Sequence, residues 1–123
     1  MMSTSSPLPL RSALIRKHAV MTLKPNCLEP YRASHNEGFW PEMGVMLKEH
    51  GAHNYAISLL EDPAGSGGGT LYAYVEIESE DKWNVVKDTE ICKKWWAWMR
   101  DFIVFNEDGT PKATPLKELF FLP

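Results

Sequence analysis

Cysteine is nearly missing from this chain: Cys27 and Cys92 are the only two in 123 residues, and neither sits in a paired motif. No disulfide framework is implied, and both read as small apolar residues kept reduced. The four histidines, His18, His35, His50 and His53, are dispersed, and no HxH, HExxH or CxxC spacing occurs, so no metal site is expected. There is no phosphate loop, because the glycines of GSGGG precede a strand pattern instead of a helix. GxSxG is absent, and no serine is marked as a nucleophile. Positive charge is also short: the net charge is −3 and no basic cluster occurs, which excludes the electrostatic footprint of a nucleic-acid binder. No apolar run approaches the roughly 18 residues of a membrane span. The opening MMSTSSPLPLRSA has neither the basic nor the apolar region of a secretory signal. It reads as a flexible extension over residues 1–13, ahead of one domain over residues 14–123 in a cytoplasmic protein.

What the chain does have is indole. Three of its five tryptophans, Trp95, Trp96 and Trp98, fall within four residues of a helical pattern. Neighbouring helical residues diverge by about 100°, so Trp95 and Trp96 cannot both face the same core.

Around this segment the elements alternate. The run ALIRKHAVMTL predicts a strand over 14–23, and Lys24, Pro25 and Asn26 then break it, with Pro25 and Asn26 suited to opening a helix over 27–35. After Gly38 a second helix starts near Pro41. It presents Met43, Met46, Leu47 and His50 on one face, with Gly51 as its C-terminal cap. AHNYAISLL and TLYAYVEIE read as strands two and three around the turn-rich EDPAGSGGG. In the third strand Leu71, Ala73, Val75 and Ile77 alternate with Tyr72, Tyr74, Glu76 and Glu78, one face apolar and one aromatic and polar. Ser79 caps a helix through Val86. The tryptophan helix follows and extends to about Phe105, and LKELFFL closes the chain as a short strand.

The order strand, helix, strand, strand, helix, strand, with both helices in two pieces, predicts an α+β, ferredoxin-like antiparallel sheet with helices on one face. The uncovered face, with Tyr72 and Tyr74, could line a pocket or meet a partner sheet.

Among the histidines, His50 suits a helix end, His18 a half-buried strand position, and His53 should share a strand face with Tyr55. His35 differs in its company. Tyr31 stands four residues earlier on the same helix face, and a phenol beside an imidazole can bind a polar ligand and move protons near neutral pH. The tryptophans divide into two stripes, Ile91, Trp95, Trp98 and Phe102 beside Cys92, Trp96, Met99 and Ile103. Trp98 is assigned to packing, and Trp96 has the better geometric claim to face a pocket. Indole faces stack on the apolar C–H patches of sugar rings, so a carbohydrate platform is one use for such a segment.

IRKHAVM, YRASHN followed by WPE, KEHGAHNYAI, VEIES, the KKWW pair and the closing ELFFLP occur here in one order. On these motifs the chain resembles the L-rhamnose mutarotase family from about Ile15 to Pro123. The resemblance implies a cofactor-independent isomerase of the aldose 1-epimerase type, which interconverts the α and β anomers of L-rhamnose. It also implies a homodimer of the dimeric α/β-barrel type. His35 corresponds to the family's catalytic proton donor. Tyr31, Tyr55 and the pair Trp95 and Trp96 correspond to its sugar-binding residues. Glu37, Gly38 and Phe39 put three residues between the His-Asn pair and Trp-Pro where the family usually has two, and the Gly-rich connection is enlarged. Two rivals carry similar compositions. One is a non-catalytic sugar-binding module, the other a ferredoxin-like dimeric monooxygenase with an aromatic pocket.

Overall fold

The computed structural model describes residues 13–123. All but the last residue of the expected N-terminal extension lies outside the described residues. Four strands and four helices follow in the order β1 (Ile15–Leu23), α1 (Leu28–Asn36), α2 (Pro41–Glu49), β2 (Ala52–Glu61), β3 (Gly69–Ile77), α3 (Glu80–Asn84), α4 (Glu90–Met99) and β4 (Thr114–Leu116). A short 3₁₀ turn, Val86–Asp88, joins α3 to α4. The sheet runs β2-β3-β1-β4 with every pairing antiparallel. Of the two central strands, β3 carries the alternation expected of a half-covered sheet, while β1 is half-buried along most of its length. Leu71, Val75 and Ile77 of β3 are buried on the helical side, while Tyr72 is exposed on the other.

Local chemistry accounts for most boundaries. Pro41 occupies the first turn of α2, where its missing N–H costs nothing, and Gly51 ends that helix with φ +79°. His50 Nδ1 lies 2.8 Å from the Met46 carbonyl, the helix-end role expected of it. Ser79 accepts from the Lys82 N–H and Thr89 from the Cys92 N–H, capping α3 and α4.

The start of α1 departs from expectation. Asn26 does not cap it but turns through φ +59°, and the helix has no side-chain cap. The glycine-rich hairpin supplies one instead: the Gly67 carbonyl accepts from the N–H groups of both Cys27 and Leu28, each at 3.0 Å. Gly68 lets the backbones meet, since a Cβ there would stand 2.5 Å from the Leu23 carbonyl oxygen. The enlarged β2–β3 connection is thus a cap for a distant helix.

Two further expectations are corrected near the C-terminus. Helix α4 stops at Met99, short of Phe105, because the following residues join the sheet edge. The Phe102 carbonyl takes the Lys24 N–H, the Val104 N–H goes to the Thr22 carbonyl, and Ile103 bridges to Leu23. The last strand is Thr114–Leu116 instead of LKELFFL, and Pro115 is tolerated there because β4 is an edge. Beyond it Glu118 accepts from Nε and Nη2 of Arg16, each at 2.9 Å, with His18 at 3.2 Å. These partners hold its carboxyl down to about 2. Leu119, Phe120 and Leu122 are left exposed.

The buried seam of α4 runs between the two stripes read from sequence. Cys92, Trp95 and Met99 are buried with Ile103, whereas Trp96 and Trp98 flank them half-buried. Trp98 does pack, stacked on Trp40 at 5.3 Å and edge-on to Trp95 at 5.2 Å, yet Trp95 is the deeper ring. Truncating a buried aromatic removes transfer energy and leaves a cavity, so Trp95→Ala should cost about 3–5 kcal/mol. Trp98→Ala, which removes a partly hydrated ring, should cost about 1–3 kcal/mol. Urea midpoints at constant m-value measure both, and equal losses would contradict this ordering.

Candidate active site

Helix α1 turns Tyr31, Ser34 and His35 inward, the i, i+3, i+4 face of a helix on which Leu28 also packs against the core. Tyr31 is buried and stacks obliquely on His35, ring centres 4.4 Å apart. The imidazole meets the edge of Trp95 from α4 at 5.2 Å and lies nearly parallel to Phe39 at 6.5 Å. Phe39 and Trp40 close on Trp95 at 5.2 and 5.3 Å. Neither ring was singled out from sequence, although Trp40 belongs to the quoted WPE and Phe39 to the enlarged spacer before it.

His35 Nδ1 lies 3.0 Å from the Tyr31 carbonyl, an acceptor, so Nδ1 must carry the proton and donate. That bond fixes the tautomer and leaves Nε2 as the nitrogen that can exchange a proton with a ligand. Burial pushes the imidazole pKa below its ordinary 6.5, with the carbonyl contact opposing part of the shift. At neutral pH the ring is therefore mostly unprotonated.

Tyr55 reaches the same place from β2 by an irregular route. His53 pairs with Glu76 and Ala56 with Tyr74, so the register slips by a bulge between them. His53 consequently turns to the open face, where its Nε2 lies 2.7 Å from Glu78, and Tyr55 turns to the helical face beside Trp83 at 6.4 Å. The expectation that these two share a face is overturned by that single extra residue. Tyr55 is 45% exposed as a residue, yet burial raises its phenol pKa, with the Cys92 thiol adding to the shift. The residue thus keeps contact with solvent while its ring lies on the helical side beside Trp83.

Tyr31 is pushed well above the usual phenol range, first by burial and then by Tyr55, which marks the two phenols as neighbours. Both stay protonated at neutral pH and serve as hydrogen-bond donors. The Cys92 thiol, raised by burial to about 11, is no nucleophile. Trp96, about 100° around α4 from Trp95, is half-buried against the core and keeps part of its indole exposed.

Among the described residues no group of three or more His, Cys, Asp or Glu side chains converges as a metal-ligand set. No helix among them is long and apolar enough to cross a membrane. An open groove of about 340 Å³ between Pro30, Ala33, Gly38, Trp98 and Phe102 contains neither His35 nor Tyr55 and is not part of this site.

The family model for L-rhamnose mutarotase matches residues 16–122. An L-rhamnose mutarotase of Tolumonas auensis is 49% identical over 109 residues, covering 89% of this chain and 99% of its own. One of Shigella dysenteriae is 48% identical over 110 residues, covering 89% of this chain and 100% of its own. The crystal structure of an L-rhamnose mutarotase from Formosa agariphila superposes with a TM-score of 0.73 at 29% identity, over 89% of this chain and 99% of that one. A dimeric ferredoxin-like protein from an uncultured marine organism shares the fold, with a TM-score of 0.60 at 15% identity over 89% of this chain and 100% of its own. With the family model spanning all four helices and all of the sheet but its first residue, the chain belongs to the L-rhamnose mutarotase family.

Proposed function

We infer that the protein is an isomerase that interconverts the α and β anomers of L-rhamnose by acid–base catalysed opening and closing of the sugar ring. Family membership across residues 16–122 supports the activity and favours neither the monooxygenase nor the binding-module reading. The observation that carries the mechanism is the imidazole of His35, fixed at Nδ1 and open at Nε2, beside two persistent phenol donors.

Ring opening moves one proton from the anomeric hydroxyl to the ring oxygen, and both oxygens are bonded to the same carbon. One nitrogen can therefore serve them in turn. Neutral His35 accepts the hydroxyl proton at Nε2 as the carbonyl forms and the bond from the anomeric carbon to the ring oxygen breaks. The imidazolium then donates that proton to the ring oxygen, which makes His35 the proton donor of the second half-step. Rotation about the adjacent carbon–carbon bond presents the other carbonyl face, and the same transfers in reverse close the ring. The phenols of Tyr31 and Tyr55 donate to sugar oxygens, including the ring oxygen while it carries negative charge. Trp95 backs the imidazole, and Trp96 offers indole surface to the sugar. No step calls for a cofactor.

The functional unit is a homodimer. Its support is the uncovered sheet face bearing Tyr72, Leu60 and Leu116, together with the exposed apolar tail. The free thiols Cys27 and Cys92 suit the reducing cytoplasm, to which we assign the protein.

Three outcomes are expected. His35→Ala should fold normally yet lower anomeric exchange, followed by saturation-transfer NMR with L-rhamnose, by about 10²-fold or more; near-normal exchange would remove His35 from the chemistry. Because the resting imidazole is neutral and its pKa is depressed, kcat/KM should fall as pH drops through a value below 6.5 and stay level through neutrality. A profile that instead declines as pH rises past neutrality, after subtracting spontaneous exchange, would make the protonated ring the resting catalyst. Sedimentation should give a dimer at micromolar concentration, and a monomer there would defeat the assembly proposed.

A further inference from the structure

The chain spends an unusual conformation one residue before Tyr55. Asn54 adopts φ +50°, one of two non-glycine residues among those described with positive φ. Its side-chain amide donates to Glu76 Oε1 at 2.6 Å, and the Tyr74 hydroxyl donates to Glu76 Oε2 at the same distance. Glu76 itself is only 1% exposed, although it belongs to the sheet face that no helix covers. A carboxylate that deep is costly to keep unless strong donors hold it, and a carboxylate so held is a rigid anchor.

We propose that Asn54 and Glu76 are positioning residues for substrate binding, acting from the open face of the sheet to aim Tyr55 into the site on the opposite face. This rests on the reading of Tyr55 as a sugar-binding residue given above. Strand parity makes the case. Ala52 lies against Ile77 in the core, so a regular strand continuing from it would send Tyr55 out to the open face. From the other end, Ala56 opposite Tyr74 and Ile57 opposite Ala73 require residue 55 to point inward. The two frames differ by one residue, and the bulge at Asn54 absorbs the difference. Asparagine is suited to the left-handed conformation this needs, and its amide turns the excess residue toward Glu76, which closes the bulge with a charge-assisted bond. The phenol of Tyr55 is thereby delivered next to Tyr31 and Cys92. Neither Asn54 nor Glu76 touches the sugar.

The test is a double-mutant cycle read as kcat and KM for L-rhamnose exchange. Asn54→Gly keeps the left-handed backbone accessible while deleting the bond to Glu76. It should raise KM about three- to tenfold, the scale of one ordinary hydrogen bond because only part of the lost charge-assisted bond is felt at Tyr55, with kcat little changed and the fold intact by circular dichroism. Glu76→Gln, which weakens the same bond without emptying the site, should move KM in the same direction. In a Tyr55→Ala background neither change should weaken exchange further, because the residue they aim is gone. A purely structural role would give losses that multiply in that background, and this would overturn the proposal. So would an Asn54→Gly protein with unaltered KM while Tyr55→Ala is impaired. If Tyr55→Ala itself exchanges anomers at the normal rate, the assignment of Tyr55 to the sugar site fails first, and the positioning role fails with it.

Discussion

Trp95 is where the helical layer is joined, and the arrangement of the site depends on it. Its ring meets His35 from α1, Phe39 and Trp40 from the connection into α2, and Trp98 from its own helix, all at 5.2–5.3 Å and all close to edge-on. Edge-to-face packing is directional, so these contacts set orientation as well as distance. The imidazole is thereby held between a tryptophan edge and the Tyr31 ring, with its Nδ1 proton committed to a backbone carbonyl. The same burial that keeps Trp95 at 5% exposure also keeps water from the far side of His35 and lowers its basicity. Stability and proton affinity are two consequences of one packed ring.

Much of the architecture was legible because it follows from periodicity and punctuation. The alternation of β3, the proline opening α2, the glycine closing it and the caps at Ser79 and Thr89 are local devices. They act over three or four residues, which a single sequence displays, although the cap at Thr89 was not read from it. The ferredoxin-like order of elements follows from them. What was misread is non-local. The end of α4 is decided by a partner strand, since the backbone groups of Phe102 and Val104 find theirs on Lys24 and Thr22. The start of α1 is decided by a loop some forty residues away, and no inspection of Pro25 and Asn26 reveals Gly67.

The site shows the same division. Tyr31 and His35 were recoverable from i, i+4 spacing, and Trp95 and Trp96 stood out by composition. Their roles came from the resemblance, and the structure separates the pair: one indole buried behind the histidine, the other half-exposed. A stripe drawn on an ideal helix groups Trp95 with Trp98, but the groove that α1 and α2 offer is centred between the two stripes, on Cys92, Trp95 and Met99. Tyr55 was hidden more deeply, because a bulge inverts side-chain parity and leaves only a weak mark in sequence, an asparagine within a strand pattern.

The bulge also makes the sheet something other than a partition. Elsewhere its two faces are independent surfaces that share a backbone. At Asn54 a bond made on one face decides where a side chain stands on the other. A second copy of the chain seated against the open face would press on the neighbourhood of Glu76, Tyr74 and His18, and sugar held as we propose would press on Tyr55. Thermodynamic linkage makes such an influence mutual: whatever the assembled state does to the affinity for sugar, sugar does in equal measure to the affinity between subunits.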